Sequence, residues 1–245
     1  MTSALPARYP APMDLQETIE RNLGRIRTEM ADAAAAGGRP ADAVRLVAVT
    51  KAVGLDAITA LAALGKRDLG ESRAEQLVAR AAETADRGLD VAWHMIGHLQ
   101  RRKVRDLLPR AAMIHSVDSL RLAEEIEKRA AAAGLGAVPV LLEVNVSGEE
   151  QKHGLRPDEA EEVARSVARL DRLDLRGLMT MAPLADDPET VRPVFRGLRE
   201  LRDRLNDAAC TPRALTELSM GMSQDYRVAV EEGATVVRIG TALFA

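Results

Sequence analysis

The sequence predicts a single-domain α/β protein folded as a (β/α)8 TIM barrel. Three observations carry that reading. Eight short runs favouring β-structure alternate with segments of helical spacing. No obvious linker separates them. A chain of 245 residues, 47% of them hydrophobic, is long enough to bury one large core. Alternation alone does not show that the sheet closes, so an open doubly wound sheet is the rival architecture. Aromatic residues make up only 2% of the chain, so the core must be assembled from Ala, Leu, Val, Ile and Met.

Residues 1–13 include three prolines and lack the apolar stretch of a signal peptide, and are read as a flexible leader ahead of a domain spanning 14–245. Leu15, Ile19, Leu23, Ile26 and Met30 then recur at helical intervals until Gly37 and Gly38 stop the helix. Leu46, Val47, Ala48 and Val49 form the first strand, extended by Thr50 and ending at Lys51. A helix over 55–64, ended by Gly65, leads to a second strand at 68–71, a helix over 73–87 and a third strand at 92–96. Gly97, His98, Leu99 and Gln100 run into a basic segment at 101–105. The fourth strand covers 113–117, with Asp118 placed to cap an Ala-rich helix reaching about 133. Residues 138–146 carry the strongest strand pattern, after which Pro157 and Asp158 open a helix. A sixth strand at 175–179, a loop at 183–188, a long helix over 189–208 and a seventh strand at 217–219 follow. The last elements are a helix at 228–232 stopped by Gly233 and a strand at 235–239, followed by Gly240 and Thr241.

Composition excludes several classes of function. A formal net charge of −3 leaves no electrostatic footprint for nucleic acid or a membrane surface. No apolar run approaches the length of a membrane span. Cys210 is the single cysteine, which rules out an intramolecular disulfide framework and suits a reducing compartment. A cytoplasmic protein, monomeric or weakly dimeric, is expected.

In a barrel, chemistry collects at the C-terminal ends of the strands. A lysine there is either a loop charge or a reactive amine; buried, it would lose hydration and become able to attack a carbonyl. Lys51 stands at such a position. Arg238, Gly240 and Thr241 place a cation, an open backbone and a hydroxyl at the last strand, while Ser219, Gly221 and Ser223 offer donors beside it. Two such patches on adjacent strands suit phosphate, although ordinary glycine turns would look the same. His94 and His98 are four residues apart but fall across a strand end, which does not suit a helical metal pair. The run Arg101, Arg102, Lys103 and Arg105 reads as a solvated helix face or an anion patch. Spacing assigns no acid or base role to Glu71 or Glu143.

Together these blocks resemble one family. Leu46 to Lys51, Gly70–Glu71–Ser72, the segment from Trp93 through Gln100 to Lys103, His115 to Asp118, Asn145 with Lys152 and Gly154, Arg176 to Met179, Leu218 to Ser223 and Val237 to Phe244 all carry the likeness. The chain resembles the YggS/PROSC-type pyridoxal phosphate homeostasis proteins, whose barrel is like the N-terminal domain of alanine racemase. The resemblance implies pyridoxal 5′-phosphate as cofactor, held as a Schiff base by Lys51. It places the phosphate at Ser219, Gly240 and Thr241 with Met222 and Ser223 nearby, and sets Arg238 against the pyridine nitrogen. Ser72 and His94 complete the implied contacts. A guanidinium beside that nitrogen weakens the cofactor as an electron sink. The implied role is therefore holding the cofactor and supplying it to apoenzymes, without strong catalysis. The alternative is an amino-acid racemase or lyase, which needs a second base, and no second domain is expected after Ala245. A cofactor-free aldolase would use the same lysine. The chain departs from the family's usual residues at Ser72, Arg73 and Arg102, and lacks a lysine or proline directly after Lys51.

Overall fold

The computed structural model describes residues 14–149 and 151–245. The expected leader, 1–13, lies outside the described residues. The strands are β1 (Arg45–Val49), β2 (Asp68–Glu71), β3 (Ala92–Met95), β4 (Ala111–Val117), β5 (Val138–Glu143), β6 (Leu173–Met179), β7 (Glu217–Ser219) and β8 (Val236–Ile239). All neighbouring pairs are parallel and in sequence order, and β8 returns to β1 with Arg45 opposite Val236 and Ala48 opposite Ile239. This pairing closes the barrel and excludes the open sheet.

The helices are α1 (Leu15–Ala36), α2 (Leu55–Ala63), α3 (Ala74–Asp86), α4 (Val104–Leu107), α5 (Leu120–Ala132), α6 (Ala160–Val167), α7 (Arg192–Asp207), α8 (Tyr226–Glu231) and α9 (Thr241–Phe244). Their apolar faces pack on outward-facing strand residues such as Ala48, Leu69, Leu142, Leu178 and Val237 in one continuous core. Alternation along each strand sends the intervening residues inward. Met113, Leu141 and Met179 make a separate apolar cluster there, with Met181 packed against it. His94, His115, Glu143, Ser219 and Arg238 are among the buried polar members of the same inward-facing set. At Gly177 the β6 and β7 backbones approach so closely that a Cβ would sit 1.8 Å from the Glu217 carbonyl oxygen.

Several boundaries differ from expectation. The fifth strand stops at Glu143, because Val144 pairs with Leu155 in an isolated bridge and the chain leaves the sheet. Ser119, not Asp118, caps α5 and accepts from the Leu122 N–H at 3.4 Å, while the Asp118 carboxylate is taken by His98. The long helix begins at Arg192 after a 3-10 turn over Pro188–Val191. The basic segment forms a 3-10 turn, Arg101–Lys103, leading into α4. Among the described residues, no helix is long and apolar enough to cross a membrane.

Candidate functional site

The C-terminal mouth of the barrel holds a cleft of about 640 Å³, a size suited to a small-molecule ligand. Residues after six strands contribute to it: Lys51 after β1, Ser72 after β2, Gly97 and His98 after β3, Met181 after β6, Met222 and Ser223 after β7, and Arg238, Gly240 and Thr241 from β8 and its end. Seven of the residues expected at a cofactor therefore share one cavity. His94 and Ser219 do not line it; both lie in the barrel interior beneath.

Lys51 is exposed at the cleft, so burial does not by itself activate its amine. The backbone that carries it is clamped from α3. Arg80 donates to the carbonyls of Thr50 and Val53, both at 2.6 Å, and to the Glu71 carboxylate at 2.6 Å. Thr50 Oγ1 also donates to Glu71, at 2.7 Å. Burial pushes the Glu71 carboxyl up, against the opposing pull of Thr50 and Arg80. Sequence reasoning missed Arg80, because a lone arginine on a helix gives no sign of reaching two carbonyls in the loop after β1 and a carboxylate on β2.

Beyond the ends of β7 and β8, the latter the direct neighbour of β1, Ser223 Oγ accepts backbone N–H groups from Gly240 at 3.2 Å and Ala242 at 3.3 Å. An oxygen thus already occupies a nest of donors of the kind that suits an anion. A Cβ at Gly240 would meet Val49 at 3.4 Å, an ordinary contact, so packing does not itself demand glycine there; its absence leaves the backbone open to the cleft. Gly221, at φ +94°, is required, since a Cβ would sit 2.6 Å from that of Ala229. The Met222 N–H donates to Asp225 at 2.6 Å, which secures the turn before Ser223.

Arg238 lines the cleft from the barrel interior. Its Nη1 donates to Ser219 Oγ at 2.7 Å and its Nη2 to the Thr180 carbonyl at 2.9 Å, which orients the planar guanidinium from below. Burial lowers its pKa to about 10, with Glu143 and Asp225 opposing the shift, so it stays cationic at neutral pH. At the rim, His98 Nδ1 lies 3.0 Å from Asp118 and its ring stacks on His153 with centroids 4.0 Å apart. Their donor atoms lie within 4.8 Å of one another, but rings only 13° from parallel do not aim both lone pairs at one point. The three residues clasp the loops after β3, β4 and β5 together.

The alanine racemase N-terminal domain model matches residues 17–245, and the chain belongs to that family. Within it, the chain is 41% identical over 232 residues to the pyridoxal phosphate homeostasis protein of Aquifex aeolicus, covering 95% of this chain and 98% of that one. It superposes on PipY of Synechococcus elongatus, solved with PLP bound, at a TM-score of 0.79 and 33% identity, covering 93% of this chain and all of PipY. Alanine racemase of Clostridium difficile shares the barrel at a TM-score of 0.73 and 17% identity, over 93% of this chain and 56% of the racemase.

Proposed function

We propose that this chain holds pyridoxal 5′-phosphate through a Schiff base on Lys51 and acts in the cytoplasm as a store that supplies the cofactor to apoenzymes. One juxtaposition carries the reading: a lysine amine, an N–H nest already filled by a serine oxygen and a buried arginine line the same cleft. When bound, the cofactor supplies an aldehyde that condenses with primary amines and a pyridine ring that can withdraw electrons. The residues present fit that group. Ser223, Thr241 and the Gly240 and Ala242 amides suit its phosphate, Lys51 supplies the amine, and Arg238 suits the ring nitrogen. Ser72 and Met222 also line the cleft, while His94 and Ser219 act from beneath through Arg238.

The same lining argues for holding over turnover. A cationic Arg238 opposes protonation of the ring nitrogen and so limits carbanion stabilisation. Among the described lining residues the titratable side chains are Lys51, His98 and Arg238, and His98 is already engaged by Asp118. A racemase requires a base on each face of its substrate. The names carried by the relatives, homeostasis proteins rather than enzymes, support the same reading.

The protein purified without added cofactor, or after incubation with it, is expected to be yellow, and Lys51→Ala to lose the visible band. A wild type that stays colourless with excess cofactor would overturn the reading. Alanine racemisation at about 1 per second or faster would overturn the non-catalytic half of it.

A further inference from the structure

Beneath the cleft runs a hydrogen-bonded chain through the barrel interior. From the cleft downward, Arg238 Nη1 donates to Ser219 Oγ at 2.7 Å. Ser219 Oγ lies 2.9 Å from His115 Nδ1, His115 Nε2 lies 2.9 Å from His94 Nδ1, and His94 Nε2 lies 3.1 Å from Asp68 Oδ1. Asp68 opens β2 at the opposite end of the barrel, where Lys66 Nζ stands 3.8 Å from its other oxygen. The four residues between Asp68 and the cleft are each at most 3% exposed.

The chemistry of the groups gives this chain a direction. An ionised carboxylate only accepts, so His94 Nε2 must carry a proton. With both imidazoles neutral, His94 Nδ1 is then an acceptor and His115 Nε2 the donor, which leaves His115 Nδ1 to accept from the Ser219 hydroxyl. The Ser219 oxygen is left free to accept from Arg238. With both rings neutral, reversing the order would set a bare His94 nitrogen against the carboxylate. Burial first, with His94 and Arg238 nearby, pushes His115 well below its ordinary value and keeps it neutral. The ends therefore match: a guanidinium that can only donate and a carboxylate that accepts, joined by two histidines of one tautomer.

We infer that Asp68, His94 and His115 are positioning residues, which act through Ser219 to hold the Arg238 guanidinium in the orientation it presents to the cleft. Its consequence for ligand binding rests on the pyridoxal phosphate reading above; the chain itself does not.

Imidazole nitrogen NMR on the cofactor-free full chain near neutral pH tests the chain directly. His115 is expected as the neutral Nε2–H tautomer, and His94 is expected to carry a proton on Nε2. An Nδ1–H tautomer at His115, or a bare Nε2 at His94, would overturn the inference. The positioning role is tested by cofactor titration of His115→Phe, which fills the space but cannot relay. Affinity is expected to fall about tenfold, with a displaced visible band, and His115→Gln, which offers both an acceptor and a donor, is expected to recover part of each. Wild-type affinity and band in His115→Phe, while Lys51→Ala is colourless, would sink the positioning role and leave the function intact. A wild type that binds no cofactor would instead sink the function, and the tautomers would still decide the chain.

Discussion

Glu143 ends β5 with its side chain turned inward, 3% exposed, and with Oε2 lacking a hydrogen-bond partner. Burial and then the nearby Asp118 raise its pKa from 4.5 to about 7, against the pull of Arg238. The fold therefore binds this proton more tightly than the unfolded chain does. Its stabilising contribution is full below the ordinary glutamate value and is lost as the pH rises through 7. The shift corresponds to about 3 kcal/mol at most. Glu143→Gln removes the titration, so urea unfolding at pH 5 and pH 8 is expected to differ less in the variant than in wild type. Equal pH dependence in both proteins would show that Glu143 is ionised in the fold. His115 acts in the opposite sense, since its depressed value costs stability as the pH falls below the ordinary histidine range, but that contribution is common to both proteins. At this scale the sequence was informative where position alone mattered. Lys51, Ser223, Arg238, Gly240 and Thr241 lie at or just beyond strand ends, whereas Ser72 and Met222 rested on the family resemblance, and the structure gathers all seven in one cleft. Whether His94 and Ser219 reach that cleft depends on their depth along an inward-facing strand, which local pattern does not encode.

The clamp from α3 onto the loop after β1 belongs to the scale of elements. Arg80 is the salt-bridge partner of a Glu71 side chain that is completely buried, and it holds the two carbonyls that bracket Lys51 and its neighbours. Arg80→Ala would leave a buried carboxylate unpaired, and a loss of about 3 kcal/mol is expected in chemical denaturation. Glu71→Gln in the Arg80→Ala background should recover part of it, because the uncompensated charge is then gone. Additive losses in the two single variants and the double variant would show that the pair does not couple. The loop would also lose its anchors, so cofactor affinity should fall in both Arg80 variants even where stability recovers. Element order and type were legible from periodicity, because apolar β-branched runs and helical spacing alternate without ambiguity over most of the chain. The ends were not. Val144 and Val146 favour strand, yet the chain departs after Glu143 to form the loop held by the Asn145 side chain, which donates to the Glu149 carbonyl at 2.8 Å. Asp118 and Ser119 are both good caps, and only the contact with His98 decides between them. The four residues of α9 are too few to show a period.

Closure is a property of the whole molecule, and alternation could not announce it, because the strands that meet, β1 and β8, lie at opposite ends of the sequence. The seam is covered by α1, which packs against α2, α8 and α9. Asn22, buried on α1, donates through Nδ2 to the Leu243 carbonyl at 3.1 Å and to the main-chain oxygen of Ala245 at 2.9 Å. Arg39, just after α1, donates to the Val230 carbonyl of α8 at 2.6 Å. The N-terminal helix thus tethers α9, whose first residue, Thr241, lines the cleft and whose neighbours Gly240 and Ala242 supply the N–H nest. Asn22→Ala removes both tethers and leaves two carbonyl oxygens at the seam without their donor. A loss of about 1–3 kcal/mol in global stability is expected. The more specific consequence is local: with α9 loosened while β1 and β8 remain paired, amide hydrogen exchange at Gly240 and Ala242 should accelerate more than at Val237 in the strand below. On the proposed function cofactor affinity should weaken in step, since the two amides proposed for the phosphate flank the start of that helix. Uniform acceleration across β8 and α9 would mean instead that Asn22 supports the barrel as a whole and that the cleft is not separately coupled to the first helix.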